Sequence, residues 1–277
     1  MLRSSRGERR TVLEALETLE PLLRCISAPA IAVSGGVDSV TLAAAAHEIT
    51  RDVLVMHAVS PAVPAEASER VRKAASRRGW KLEILDAGEF EDVRYRANPV
   101  NRCFYCKSNL YRSIRARTER PVLSGANLDD LGEYRPGLEA ARLFGVRHPY
   151  VEARMSKVAV RALARALGLT EVAELPASPC LSSRVESGIR IEAVTLGFIH
   201  GVERLLANEL RPQTVRCRVR ATAIAVELDR ETLRSLSAQE LDRIEHLVRS
   251  RTGCPAHLPI RVEPYRNGSA FLVGRAP

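Results

Sequence analysis

The chain has 277 residues, of which 45% are hydrophobic, so it exceeds one ordinary domain of about 100 to 200 residues and can build a full core. Its 42 Lys and Arg against 33 Asp and Glu give a formal charge of +9, which attracts phosphates and nucleotides. No run approaches the roughly 18 apolar residues of a membrane span, and the charged N-terminus differs from a secretory signal. We therefore expect a cytoplasmic protein without a membrane partner. Because the cytoplasm is reducing, we expect its six cysteines to be thiols, ligands or nucleophiles rather than members of disulfides.

The first part of the chain alternates between helical and strand patterns. Apolar positions at helical spacing predict a helix over residues 11 to 27, and short apolar runs beyond it predict buried strands. The predicted strands are 30–33, 53–58, 81–85 and 121–124, and the predicted helices are 40–49, 66–78, 104–117, 137–144 and 156–167. The last helix has a plausible N-cap at Ser156 and ends at Gly168. This alternation predicts an α/β fold with a parallel sheet flanked by helices.

A long irregular segment follows and divides the chain. Residues 170 to 190 lack a periodic pattern and carry Pro176, Pro179 and Gly188, which is typical of a functional loop. Beyond it, a smaller α+β domain is predicted from helices over 191–210 and 231–251, strands at 215–219 and 223–228, and short strands near Ile260 and Phe271. We predict a first domain over 1–169, an active-site linker over 170–190, and a domain over 191–277 that binds substrate and forms a homo-oligomer.

A glycine turn joins the first predicted strand to its helix. Backbone N–H groups and the helix dipole converge on an anion at this position, and two glycines let the backbone approach phosphate oxygens. The turn consists of Ser34, Gly35, Gly36, Val37, Asp38 and Ser39. It contains no lysine and lacks the GxGxxG spacing, so it is neither the loop of γ-phosphate-transferring NTPases nor a dinucleotide loop. The alternative interpretation is a plain strand-to-helix turn.

The segment SGGVDS resembles the motif of the PP-loop ATP pyrophosphatases, which cleave ATP between its α and β phosphates and transfer AMP to a carbonyl oxygen. The resemblance implies an adenine nucleotide α-hydrolase-like fold in which residues 34–39 hold pyrophosphate. It also implies that Mg²⁺ is shared between the phosphates and Asp38. Adenylation turns a carboxylate oxygen into a leaving group, and cations neutralise the charge that develops on pyrophosphate.

Three of the six cysteines lie in distinctive surroundings. Cys103 and Cys106 form a CxxC at a predicted helix start, where the helix dipole stabilises a thiolate. Such a pair is compatible with a zinc half-site, a redox pair, two iron–sulfur ligands or two ordinary thiols. Cys180 lies in the long loop, where Ser183 and Arg184 can stabilise a thiolate or a neighbouring phosphate. The remaining cysteines, which have no such surroundings and are interpreted as ordinary thiols, are Cys25, Cys217 and Cys254.

Five segments together resemble the LarE family of sulfur transferases, which helps build the nickel-pincer nucleotide cofactor. They are SGGVDS, the predicted strand end HAVSP, Asn98-Pro99 with RCFYCK, GANLDDLGEYRPG and SPCLSSR, and they extend over most of residues 11 to 220. The resemblance implies that ATP adenylates a carboxylate of pyridinium-3,5-biscarboxylic acid mononucleotide. Sulfur then replaces AMP to give a thiocarboxylate. The match is looser after SPCLSSR.

The resemblance implies two possible sulfur donors. Some members of the family sacrifice the sulfur of the cysteine that matches Cys180, while others bind a [4Fe–4S] cluster through three cysteines. Because this chain has Cys103, Cys106 and Cys180, the cluster is favoured, with Cys180 as the catalytic cysteine. The alternative, in which Cys180 gives up its own sulfur, stays open.

The same match implies further site residues. Asp129 and Arg135 are expected to contribute to ATP binding, together with Asp130 and Tyr134 of the same segment. Arg216 and Arg218 alternate along a predicted strand, so they project to one face and can clamp a substrate phosphate; a solvated face is the alternative. The other residues implied to bind substrate are Ser183, Arg184 and Glu203. No partners of His57 and His148 are identifiable, and both are interpreted as packing residues.

Two other functions stay open. A PP-loop tRNA thiolase also carries a CxxC and a distant third cysteine, and positive charge suits tRNA. However, the arginines are spread over nearly every predicted helix beside Glu or Asp, so a nucleic-acid partner is not favoured. A nucleotide-sensing or zinc-binding module without turnover is the other alternative, although no fourth zinc ligand is evident.

Overall fold

The computed structural model describes residues 17–132, 135–176 and 179–270. The start of the predicted N-terminal helix, Tyr134, Ser178 of SPCLSSR and the predicted strand near Phe271 lie outside the described residues. The described residues form two compact units. Unit 1 comprises residues 17–60, 65–89, 103–132 and 135–176, and unit 2 comprises residues 61–64, 90–102 and 179–270.

Helices occupy much of both units. In chain order they are α1 (described over 17–24), α2 (Val37–Thr50), α3 (Ala65–Arg78), α4 (Val93–Arg96), α5 (Arg102–Arg115), α6 (Pro136–Leu143), α7 (Pro149–Glu152), α8 (Lys157–Ala166), α9 (Thr170–Ala173), α10 (Ala193–Leu210), α11 (Arg230–Ser235) and α12 (Ala238–Arg249). The Ser156 side chain accepts a hydrogen bond from Ala159 N at the start of α8, and Gly168 adopts φ +72° after its end, so both predicted boundaries of this helix are confirmed. Within the described residues, no helix combines the length and apolar character that a membrane crossing requires.

Unit 1 is built on a four-stranded parallel sheet. Its strands are β1 (Ala30–Ala32), β2 (Leu54–Ala58), β3 (Lys81–Leu85) and β4 (Val122–Ser124), in the order β3-β2-β1-β4. Each lies within one residue of its predicted bounds, and the predicted α/β class is confirmed. In the register, Ile31 lies opposite both Val55 and Leu123. Strands β1, β2 and β4 are mostly apolar and buried, as expected of strands covered by helices on both faces, whereas the edge strand β3 alternates polar and apolar residues.

The core of unit 1 lies on both faces of this sheet. Because neighbouring strand residues point to opposite faces, Ile31 and Val55 pack in one buried cluster, while Ala30 and Leu54 pack in another. The first cluster includes the alanine-rich centre of α2 together with residues of α1 and α8. The second includes residues of α5 and α6. The helices therefore hold the carboxyl end of β1 and the start of α2 in a fixed position.

Unit 2 contains a three-stranded sheet of β5 (Val215–Val219), β6 (Ile224–Leu228) and β7 (Ile260–Pro264), in that order. β5 and β6 are antiparallel, whereas β6 and β7 are parallel. The predicted single helix over 231–251 is wrong, because Ser237 begins a new helix, α12, through a capping box with Glu240. The predicted irregular segment 170–190 contains α9 and a 3-10 helix, Leu181–Arg184.

Candidate active site

The phosphate loop, residues 34–39, comprises the turn after β1 and the first residues of α2, at the strand-to-helix junction that the sequence predicts. The Ser39 hydroxyl accepts from Ser34 N at 3.1 Å and donates to Gly36 O at 3.2 Å, which closes the loop on itself. The two serine hydroxyls lie 3.2 Å apart. Gly36 precedes α2 without any side-chain cap, so no capping side chain occupies the N–H groups of the first turn. Those groups are available to an anion such as a phosphate.

Two glycines allow other segments of unit 1 to approach this loop closely. Gly35 adopts φ +84°, and a Cβ placed on it would lie 2.5 Å from the carbonyl oxygen of Ala67 in α3. Gly125, just beyond β4, lies so close to the loop that a Cβ would come within 2.8 Å of Asp38 C and 2.9 Å of Ser39 N. A side chain at either position would therefore push the phosphate loop away from its supports.

Asp38 is surrounded by three partners in unit 1. Its Oδ1 accepts from Asn127 Nδ2 at 3.2 Å, its Oδ2 forms an ion pair with Lys157 Nζ, and its backbone oxygen accepts from Tyr150 OH at 3.2 Å. Lys157 is the first residue of α8, 119 residues after Asp38. The loop contains no lysine, yet a lysine reaches it through tertiary structure. Nothing in the local motif could have identified Lys157, because the contact depends on where α8 packs.

The segment after β4 organises this contact. Asp129 Oδ2 accepts from the backbone N–H of Lys157 at 2.8 Å, and Asp130 Oδ2 accepts from Asn127 N at 3.0 Å. Arg135 Nη2 forms an ion pair with Asp130 Oδ1 at 2.9 Å. Asp129 therefore fixes the start of α8, while Arg135 and Asp130 are paired with each other. The expected direct contacts of Asp129 and Arg135 with ATP stay predictions.

Two histidines have polar partners that the sequence did not reveal. Fully buried His57 donates from Nδ1 to Val33 O at 2.7 Å, and its Nε2 accepts from Ser68 Oγ at 2.9 Å. His148 Nδ1 lies 2.8 Å from the Ser124 hydroxyl at the end of β4. Burial is the main cause that lowers the pKa of both imidazoles, so each favours the neutral form. His57 links the end of β1 to α3 beside the phosphate loop.

Cys103 and Cys106 lie at the start of α5, as the sequence predicts, and both are half-buried. The start of α6 packs against this turn. A Cβ on Gly137 would lie 3.0 Å from Lys107 Cγ and 3.7 Å from Cys103 O, so the glycine lets the two helices approach. Neither cysteine takes part in a disulfide bond among the described residues.

The Cys180 turn in unit 2 is held by a buried arginine. Arg184 Nη1 donates to Pro179 O at 2.5 Å and to Cys180 O at 3.0 Å, and the Ser183 hydroxyl donates to Cys180 O at 2.8 Å. Arg184 is only 2% exposed and pairs in a bidentate manner with Glu203, at 3.0 and 3.2 Å. Ser183, Arg184 and Glu203 are thus brought together with Cys180, and here they support its backbone.

Arg216 and Arg218 occupy alternate positions of β5, as predicted, but differ in their surroundings. Buried Arg218 donates from Nε to Glu227 Oε2 at 2.8 Å and from Nη1 to Ser183 O at 3.2 Å. Arg216 is half-buried, and burial followed by the charge of Arg184 lowers the pKa of its guanidinium. Arg218 is therefore already paired with a buried carboxylate, and the phosphate contacts expected of both arginines stay predictions.

The segment before the CxxC is bonded, within unit 2, to the segment after Cys180. Arg102 is 2% exposed, and its Nη1 donates to Ser182 O at 3.1 Å. Tyr95 OH lies 2.6 Å from Ser182 Oγ. Asn98, at φ +54°, donates from Nδ2 to Glu186 O at 2.8 Å. Sequence reasoning could not show that these distant segments meet. The buried polar contacts fix the position of one segment against the other.

The described ranges contain no group of three or more Cys, His, Asp or Glu side chains arranged to hold a metal ion. For Mg²⁺, the Asp38 carboxylate already binds Lys157 at one oxygen and Asn127 at the other. Both carboxylate oxygens of Asp38 thus already have partners in the protein. Asp38 is therefore an ion-paired side chain rather than a free metal ligand.

No family model matches the chain. It is 34% identical over 223 residues to an uncharacterized protein of Synechocystis sp., an overlap of 79% of this chain and 82% of that protein. It is 25% identical over 214 residues to an uncharacterized protein of Methanocaldococcus jannaschii, covering 76% and 81% of the two chains. It is also 30% identical over 217 residues to the pyridinium-3,5-bisthiocarboxylic acid mononucleotide synthase of Lactiplantibacillus plantarum, covering 76% and 78%.

Proposed function

The chain belongs to the LarE family, that of the pyridinium-3,5-bisthiocarboxylic acid mononucleotide synthase, and on this premise we propose that it is an ATP-dependent sulfur transferase. The proposed substrate is pyridinium-3,5-biscarboxylic acid mononucleotide, one carboxylate of which is adenylated. Sulfur then replaces AMP to give a thiocarboxylate for nickel-pincer nucleotide biosynthesis. The observation that supports the ATP step best is the phosphate loop, with its uncapped helix start beside the Lys157–Asp38 pair.

In the proposed adenylation, a substrate carboxylate oxygen attacks the α-phosphorus of ATP. The bond from that phosphorus to the bridging oxygen breaks, and its electron pair leaves with pyrophosphate. The N–H groups at the start of α2 bind the departing phosphates, and Lys157 supplies positive charge at Asp38. Mg²⁺ is proposed to accompany the phosphates of ATP, and no step is assigned to it at Asp38.

In the sulfur step, a sulfur nucleophile attacks the acyl carbon of the adenylate and AMP leaves. We propose Cys103, Cys106 and Cys180 as ligands of a [4Fe–4S] cluster that would supply the site for this sulfur, a proposal that rests on the sequence resemblance. The alternative is sacrifice of Cys180: its thiolate forms a thioester, a base then removes its α-proton, and the Cβ–S bond breaks to leave dehydroalanine and the thiocarboxylate.

The contacts inside unit 2 support joint action of the cysteine segments. Arg102 immediately precedes Cys103, and it donates to the carbonyl of Ser182, two residues after Cys180. Arg184 holds the Cys180 carbonyl, and Arg216 on β5 offers a cation for the substrate phosphate. Arg102 and Arg184 are buried and support the backbone, so Arg216 is the cation proposed to meet the substrate phosphate.

Anaerobic iron and sulfide analysis tests the sulfur donor. Wild type, Cys103→Ala and a matched control, Cys25→Ala at an exposed thiol, are purified without oxygen and analysed together. Loss of iron in Cys103→Ala alone supports the cluster. Full sulfur transfer by iron-free protein contradicts it. A loss of mass at Cys180 equal to one molecule of hydrogen sulfide after turnover would establish sacrifice instead.

Pyrophosphate release tests the substrate. The proposal predicts that release from ATP is stimulated by the pyridinium mononucleotide and not by tRNA. Stimulation by tRNA alone would favour a PP-loop tRNA thiolase, and no release with either would favour a binding module. We further propose a cytoplasmic homo-oligomer assembled through residues 191–277, which light scattering of the full chain and of variants in those residues can test.

A further inference from the structure

Arg70 of α3 contacts the phosphate loop, although it lies outside every motif that relates the sequence to its family. Its Nε donates to Gly35 O at 3.0 Å, across 35 residues of sequence. A guanidinium is planar and rigid, so this hydrogen bond also fixes the plane that carries Nη1 and Nη2. The cationic end of Arg70 is therefore held beside the loop.

Further contacts of α3 keep Arg70 in this place. The backbone of Ala67 touches Gly35 so closely that a Cβ on Gly35 would lie 2.5 Å from Ala67 O. One residue later, Ser68 donates to His57, which in turn donates to Val33 O at the start of the loop. These contacts bond α3 to the chain on both sides of Ser34, which holds Arg70 beside the loop.

The charge of Arg70 is less compensated than that of Lys157. Among the described residues, no carboxylate forms a salt bridge with Arg70, and Glu66 on the same helix offsets its charge only in part. Burial lowers the pKa of the Arg70 guanidinium, which means that its charge has lost part of its hydration. Lys157, by contrast, is already paired with Asp38. A partly dehydrated cation on an anion-binding loop is stabilised when an anion binds.

We propose that Arg70 binds the pyrophosphate portion of ATP and stabilises it as the leaving group, while its Nε holds the Gly35 carbonyl. This inference rests on the proposed ATP-dependent adenylation. When the bridging oxygen takes the electron pair from the α-phosphorus, negative charge grows on pyrophosphate, and Arg70 and the N–H groups of α2 face that charge together. No proton moves to or from Arg70 in this step.

Calorimetric titration of the full chain with inorganic pyrophosphate and, separately, with AMP tests the proposal. Arg70→Gln keeps a donor for Gly35 O but removes the charge, and Arg70→Lys keeps the charge without the planar fork. The matched control is Arg77→Gln, at an exposed position of the same helix. We expect pyrophosphate affinity to fall about ten- to a hundredfold in Arg70→Gln, the loss of one charge-assisted contact, with AMP affinity within about twofold.

Arg70→Lys should bind pyrophosphate more tightly than Arg70→Gln, and Arg77→Gln should behave as wild type. Pyrophosphate affinity that is unchanged in Arg70→Gln, or equal losses for pyrophosphate and AMP, would overturn the proposal and leave Arg70 as a support of Gly35. Thermal melting of each variant identifies unfolded protein; if Arg70→Gln does not fold, Arg70→Lys against Arg77→Gln decides the question. Failure of the wild-type protein to bind ATP would instead contradict the proposed function.

Discussion

Arg184 and Glu203 form a buried, bidentate ion pair in unit 2, with Nε to Oε1 at 3.0 Å and Nη2 to Oε2 at 3.2 Å. The pair joins the 3-10 helix after Cys180 to α10. Arg184 also donates to the carbonyls of Pro179 and Cys180. Glu203 therefore supports the Cys180 turn indirectly, by holding Arg184 in place. The Glu203 carboxylate additionally accepts from Cys217 N at 3.0 Å, which ties the turn to β5.

Replacing Glu203 with glutamine should destabilise the protein strongly. The change leaves the 2%-exposed Arg184 without its counter-charge, and breaking a buried pair in this way costs about 3 to 5 kcal/mol. The free energy of unfolding is measured by urea denaturation. Glu209→Gln is the matched control on the same helix, since its 2.7 Å pair with Arg243 is exposed and contributes about 0 to 1 kcal/mol. Equal effects of the two changes would contradict the role assigned to Glu203.

Replacing Lys157 with methionine should weaken ATP binding while preserving the fold. Methionine keeps the apolar stem but removes the charge paired with Asp38, so we expect an ATP affinity about ten- to a hundredfold lower. Lys73→Met serves as control, because its pair with Glu69 is exposed on α3. Equilibrium titration with ATP checks both variants. An unaltered affinity in Lys157→Met would show that this lysine only supports Asp38.

Replacing Gly35 with alanine should abolish ATP binding and destabilise unit 1. The new Cβ would lie 2.5 Å from Ala67 O, and the φ of +84° also disfavours alanine. Gly79→Ala separates the two effects, because Gly79 has φ +67° with no atom within 4 Å of the added Cβ. The control should lose about 1 to 2 kcal/mol from the left-handed backbone alone and bind ATP normally. Normal ATP binding by Gly35→Ala would show that the loop tolerates displacement.

Acidification should destabilise the protein partly through His57. Burial lowers its pKa below the usual 6.5, so below about pH 6.5 the unfolded chain binds more protons than the folded chain. The stabilising contribution is thus present above pH 6.5 and is lost as the pH falls towards the folded pKa. His57→Gln should flatten the dependence of the unfolding free energy on pH over this range. Parallel curves for wild type and His57→Gln would refute this assignment.

Strands β1, β2 and β4 of unit 1 were predictable because each is a short, mostly buried apolar run, and the edge strand β3 was predictable from its alternating polar and apolar residues. The start of α8 was predictable for a similar local reason, since Ser156 caps it with its own side chain. The break between α11 and α12 was missed. The capping box of Ser237 and Glu240 can be read from the sequence, but the apolar pattern continues across it.

The sequence by itself determined the class of the fold, the phosphate loop and the position of the CxxC at a helix start, because each depends on residues that are neighbours in the chain. Tertiary structure alone decided what surrounds these features. Lys157 reaches Asp38 across 119 residues, and Arg70 reaches Gly35 across 35, since packing of α8 and α3 against the sheet carries them there. Arg218 pairs with buried Glu227, a partner that the sequence did not reveal, because a buried charge is stabilised by a counter-charge; its expected phosphate contact stays a prediction.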